Sequence, residues 1–246
     1  RCVGRTFRLL PTKEVNSIVW YCLAVAAQRT GVDVHEFCFM SNHVHLMVTD
    51  VRGELPSFVN RLNSLLSRSL NAHRGWRGSN FERNYARVKE LTTAAAINTC
   101  AYILSNPCAA DLVTKGSGWR GVTSVRMRYG ETREIEKPEV GVWKYLRRCR
   151  VSEKGRRRKR GVAPGRKRRF DRSKLPDVVE LELKPLPLEF DGSSEEMRDA
   201  ILAQLRVMEV EAEERRVAAG RRVLGMRRVL QQDWRDSPRT REDMFG

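Results

Sequence analysis

Between Arg147 and Arg169 the chain carries thirteen Lys or Arg and one acidic residue, Glu153, a local net charge of +12. A block this dense self-repels and cannot fold alone, and Gly155, Gly161, Pro164 and Gly165 interrupt it. It therefore divides the 246 residues into three stretches: an apolar-patterned region over 1–125, a basic linker over 126–174, and an extended segment with a helical pair over 175–246. One or two domains suit this length, at roughly 100–200 residues each.

The whole chain is +17, so the block leaves only about +5 for everything else. Facing a nucleic-acid backbone, such a polycation gains free energy by releasing condensed counterions. Arg156, Arg157, Arg158, Lys159, Arg160, Arg166, Lys167, Arg168 and Arg169 are accordingly predicted to contact DNA, adding affinity without sequence choice. The blander reading is a solubilising or nuclear-type basic tract. Hydrophobic residues make up 41% of the chain, enough for a buried core. No run of about 18 apolar residues exists to cross a membrane, and no secretory signal opens the chain. A cytoplasmic protein without a membrane partner is expected. The six cysteines are scattered, with no C-x-x-C pair, so neither a zinc site nor a disulfide framework is expected.

Apolar spacing predicts a helix over Glu14 to Thr30, with Gly31 ending it. Val32 to Met40 and His43 to Thr49 read as two arms of a hairpin turning at Ser41-Asn42. A second helix is predicted over Pro56 to Arg74, a strand over Phe81 to Leu91, and a last helix over Ala94 to Asn106, stopped by Pro107. This order suits an α+β fold, a ferredoxin/RRM-like sandwich with an antiparallel sheet and helices on one face. Beyond the basic block, Lys174 to Phe190 reads as extended. Ser193-Ser194-Glu195-Glu196 opens a long helix broken at Gly220, and a shorter one follows around Val223 to Leu230. With Arg221, Arg222, Arg227 and Arg228 this pair reads either as a helix-turn-helix DNA reader or as a packing appendage.

Two places carry chemistry. In a strand the side-chain period is two, so His43 and His45 share a face while Val44 points into the core. Side by side, two imidazoles are half of a divalent-metal site; they are equally two histidines on a solvated face. Met47 occupies the next alternate position, which argues against a histidine-triad nucleotide hydrolase. On the last predicted helix, Tyr102 and Asn106 are four apart and share a face, with Asn98 a turn earlier. A phenol is a nucleophile and an amide oxygen a hard ligand for Mg²⁺ or Mn²⁺. Equally, the tyrosine covers the core and the asparagine caps the helix.

The string M-S-N-H-V-H-L-M-V (Met40 to Val48), followed about fifty residues on by A-Y-I-L-S-N-P (Ala101 to Pro107), resembles the REP-associated tyrosine transposases of the HUH single-tyrosine family. Phe81 to Tyr85 and Gly118-Trp119-Arg120 sit where that family has similar aromatic and basic segments. The resemblance covers about residues 1–125. It implies a metal held by His43, His45 and Asn106, with Mg²⁺ or Mn²⁺ as cofactor, and Tyr102 as catalytic nucleophile. The implied chemistry is nicking and rejoining of single-stranded DNA beside hairpins through a 5′-phosphotyrosine, with a monomer and a homodimer both open. Arg87 and Lys89 are candidates to assist the phenol.

Departures from the family pattern are Ser41 in place of a common Pro, and Cys108-Ala109-Ala110 in place of Val-Arg-Ala. Family members also have a strand before the segment matching Arg1 to Arg5. Because the chain begins with Arg1 rather than Met, a truncated chain lacking that strand is expected. Two other readings compete: a non-catalytic nucleic-acid-binding relative, and an HUH replication initiator or relaxase with the same chemistry on another substrate.

Overall fold

The computed structural model describes residues 1–90, 92–141 and 175–238. Helix α1 (Lys13–Thr30) starts where Thr12 Oγ1 accepts the Val15 amide at 3.3 Å. It ends at Gly31, whose φ of 69° is the left-handed geometry of a C-terminal cap. Strands β1 (Asp33–Phe39) and β2 (Val44–Thr49) form the antiparallel hairpin, pairing Cys38 with His45 and Glu36 with Met47. Asp50 then caps α2 (Leu55–Arg74), its carboxylate accepting the Glu54 and Leu55 amides at 2.7 and 2.9 Å. Helix α3 (Thr93–Ala109) follows. A second two-stranded antiparallel sheet joins β3 (Thr132–Glu136) to β4 (Val178–Glu182). Helices α4 (Ser194–Ala218) and α5 (Met226–Gln231) complete the order.

The α+β class is as expected, but helices cover both faces of the hairpin rather than one. Phe37, Phe39, Val44, Leu46 and Val48 pack with Ile18 and Cys22 of α1 and Phe58, Leu62 and Leu66 of α2. Cys38, Met40 and Met47 meet Ile103 and Cys108 of α3 instead. A strand such as β1, buried on both sides, needs cover on both. Its remaining edge is satisfied by a loop: the Phe39 amide donates to the Val122 carbonyl at 2.8 Å, and the Ser124 amide to the Phe37 carbonyl at 3.0 Å. The loop approaches so closely that a Cβ on Gly121 would lie 2.8 Å from the Phe39 carbonyl oxygen.

Two predicted boundaries are corrected. The segment from Phe81 does not form a strand. Phe81 is buried and makes one bridge with Cys2, but Glu82 to Lys89 are exposed, and their charges leave no apolar face to bury. Nor does Pro107 stop α3, which runs two residues further. A proline there costs the Ile103 carbonyl its helical donor, and the Asn106 side-chain amide supplies a substitute at 3.4 Å.

The C-terminal helices pack rather than project. Ser193 and Glu196 form a reciprocal capping box at the start of α4, and Gly220, with φ of 62°, follows its end. Met197, Ile201 and Leu205 of α4 bury against Ala96, Cys100 and Leu104 of α3. The small side chains Ala96 and Cys100 permit that close approach. Helix α5 is only six residues long, and its Val229 is buried with Cys108 and Ala212. The pair thus packs on the body of the protein, while Arg222, Arg227 and Arg228 stay exposed. Arg221 is held by Asp111 at 3.3 Å.

Behind α3, Arg198 of α4 makes a buried ion pair with Glu36 of β1, and donates to the Ser124 and Met127 carbonyls at 2.8 and 3.1 Å. Burial pushes the Glu36 carboxyl up, while Arg198 and the Ser124 hydroxyl pull it back. Leu175, Val179, Leu181 and Leu183 join the core beneath α1. Residues 142–174, with the predicted DNA contacts from Arg156 to Arg169, lie outside the described residues. Among those described, the five cysteines are buried and unpaired, and no helix is long and apolar enough to cross a membrane.

Candidate active site

The hairpin and α3 bring the two sequence-predicted pairs together. His43 immediately precedes β2, and a turn bond from the Met40 amide to its carbonyl at 2.9 Å fixes its place. The His43 and His45 rings lie edge to face, centroids 4.8 Å apart. The Tyr102 ring approaches His45 in the same way at 5.8 Å. Tyr102 is 49% exposed, whereas Asn106 is 8% exposed and faces inward.

Local geometry fixes Asn106. Its side-chain nitrogen donates to the Tyr102 carbonyl at 2.8 Å as well as to Ile103, so its amide oxygen turns away from the helix. Burial lowers the pKa of His45, the N-terminal charge acts the same way, and neighbouring Asn106 opposes them weakly. His43 is lowered to about 4, by burial first and then by His45 and the cationic N-terminal residues. Both rings are thus neutral near pH 7, the form in which imidazole binds a metal.

Within this site, His45 Nε2 is buried and has no hydrogen-bond partner among the described residues. A buried polar atom without a partner costs on the order of 1–3 kcal/mol. A divalent cation would satisfy it. Two neutral imidazoles and one amide oxygen are donors of the right chemistry, so the residues present fit Mg²⁺ or Mn²⁺.

Residues 6–106 match the family model described as "Transposase IS200 like". The match runs from just before α1 to within α3 and makes this part of the chain similar to that family. It contains His43, His45, Tyr102 and Asn106. No curated protein and no solved structure matches the chain.

Other sequence candidates lie elsewhere. Asn98 accepts from Gln204 Nε2 of α4 at 3.2 Å and serves helix packing rather than the site. Trp119 is buried, its indole donating to the Phe39 carbonyl at 3.0 Å, a structural role. Arg87 and Lys89 stand on the exposed segment that is not a strand. Sequence reasoning took Asn42 only as a turn former; its side-chain oxygen lies 2.7 Å from His43 Nδ1.

Proposed function

We propose that the protein is a metal-dependent single-stranded DNA transesterase, a REP-associated type of tyrosine transposase. The observation that carries the reading is the meeting of an exposed tyrosine with a histidine pair and an inward asparagine. His43, His45 and Asn106 would hold Mg²⁺ or Mn²⁺. Such a cation, when bound, polarises the scissile phosphate and offsets charge developing on its oxygens.

The chain's own residues do the rest. The Tyr102 oxygen attacks phosphorus, a Tyr–O–P bond forms, and the bond from phosphorus to the 3′-oxygen breaks. The phenolic proton is lost and the departing 3′-oxygen gains one, leaving a 5′-phosphotyrosine and a free 3′-hydroxyl. Because the ester keeps the bond energy, a 3′-hydroxyl can reverse the step and rejoin strands without a nucleotide cofactor. Helix α3 carries both Tyr102 and Asn106, and α4 holds it from behind, which orients the nucleophile. The basic block supplies general affinity for the DNA backbone.

Incubating labelled single-stranded hairpin DNA with the protein and Mn²⁺ tests the reading. Cleavage with a covalent protein–DNA adduct, absent without metal and absent in Tyr102→Phe, is expected. Tight binding with no adduct would instead favour the non-catalytic relative.

A further inference from the structure

Two residues at the start of the chain, Cys2 and Arg5, converge on Asn42, and through it on His43. The Asn42 side-chain nitrogen donates to the Arg5 carbonyl at 3.2 Å, and the Cys2 amide donates to the Asn42 carbonyl at 2.8 Å. A carbonyl only accepts, so the Arg5 contact fixes which end of the Asn42 amide is nitrogen. Its oxygen is therefore the atom 2.7 Å from His43 Nδ1. An amide oxygen also only accepts. His43 must carry its proton on Nδ1, leaving the Nε2 lone pair free.

The Arg5 carbonyl is aimed by unusual backbone. Gly4 has φ of 58°, and Arg5, which has a side chain, has φ of 54°. Glycine adopts this geometry freely, but a residue with a side chain such as Arg5 keeps it only where surroundings enforce it, and here the turn is braced twice. The Thr6 hydroxyl donates to the Val3 carbonyl at 2.8 Å and accepts from Arg8 Nε at 2.9 Å.

We infer that Asn42 is a positioning residue that sets the His43 tautomer for metal binding, and that the Gly4-Arg5 turn exists to hold Asn42 in that orientation. Ligating histidines elsewhere are fixed in this manner, and loss of such a partner lowers metal affinity about 10–100-fold. The inference rests on the proposed metal reading of His43 and His45, and its test separates the two.

Long-range ¹H–¹⁵N correlation spectra of the metal-free full chain at pH 8 report the tautomer directly, with His43 assigned by its loss in His43→Gln. The expected spectrum shows the proton on Nδ1 in the wild type and a shift toward mixed tautomers in Asn42→Ala. Mn²⁺ titration should then give affinity lowered about 10–100-fold in Asn42→Ala and largely restored in Asn42→Asp, which keeps an acceptor. A proton on Nε2 of His43 in the wild type overturns the inference, as does, where the wild type binds Mn²⁺, an equal affinity in Asn42→Ala. A wild type with the expected tautomer, altered in Asn42→Ala, supports the positioning role even if no Mn²⁺ binds. In that case only the metal reading fails.

Discussion

Asn106 donates to the Tyr102 carbonyl at 2.8 Å, so the inward amide and the exposed phenol are tied within one turn of α3. The same side chain covers the Ile103 carbonyl that Pro107 leaves without a donor. Asn106 therefore has a structural part and a chemical part, and substitutions separate them. Asn106→Ala should lower stability by about 1 kcal/mol, a net value typical of one lost hydrogen bond. That corresponds to a fall in Tm of roughly 2–4 °C for a chain of this size. It should also weaken Mn²⁺ binding at least about tenfold, taking a lost ligand to cost no less than a lost supporting contact. Asn106→Asp should share the stability loss yet keep cation binding, as measured by thermal melts and calorimetric titration.

The histidine pair predicts how the metal-free protein responds to acid. The folded state holds His43 at about 4, below an ordinary histidine near 6.5, and His45 and His35 are also lowered by burial. Below pH 6.5 the unfolded chain therefore binds protons that the folded chain refuses, and unfolding is favoured as pH falls. Stability to urea should be level above pH 7 as far as these groups go, then drop between about 6.5 and 4. His43→Gln should shallow that drop. An unchanged slope in the variant would place the acid sensitivity elsewhere.

The ion pair from Glu36 to Arg198 joins the hairpin to α4 across 162 residues of sequence. Arg198→Met should cost about 3–5 kcal/mol, because it leaves a carboxylate buried without its partner. The double substitution with Glu36→Leu should recover most of that, since an apolar pair needs no compensation. Urea denaturation of the three variants reads both effects. Burial already drives Glu36 toward its neutral form, so the penalty in the single variant should shrink as pH falls and the carboxyl takes up a proton.

Deleting residues 147–169 should weaken binding to every DNA sequence alike and flatten its salt dependence, since each phosphate contact contributes roughly 0.7–0.9 to the slope. Fluorescence anisotropy over a salt series measures this. A slope equal to wild type would remove the DNA-binding account of that block.

Features set by short-range pattern were legible in the sequence. The end of α1 follows from Gly31, and the start of α4 from Ser193 and Glu196. The periods of strand and helix placed His43 with His45 and Tyr102 with Asn106. What escaped depends on distant partners. The pairing of Ile135 with Val179 leaves no local trace, and neither does the choice of Glu36 as partner to Arg198. Asn42 looked like a turn residue because its second role requires the Arg5 carbonyl, 37 positions earlier. The segment after Phe81 is not the expected strand because Glu82, Arg83, Arg87 and Lys89 leave it no apolar face to bury.

The central claim is that Tyr102 becomes covalently joined to DNA. Digesting the protein after reaction with hairpin DNA and Mn²⁺, then locating the modified peptide by mass spectrometry, tests it most directly. A nucleotide phosphate on Tyr102, attached through its 5′ position and lost with His43→Ala or His45→Ala, is the predicted result. Adduct on another residue, or cleavage that survives Tyr102→Phe, would contradict it.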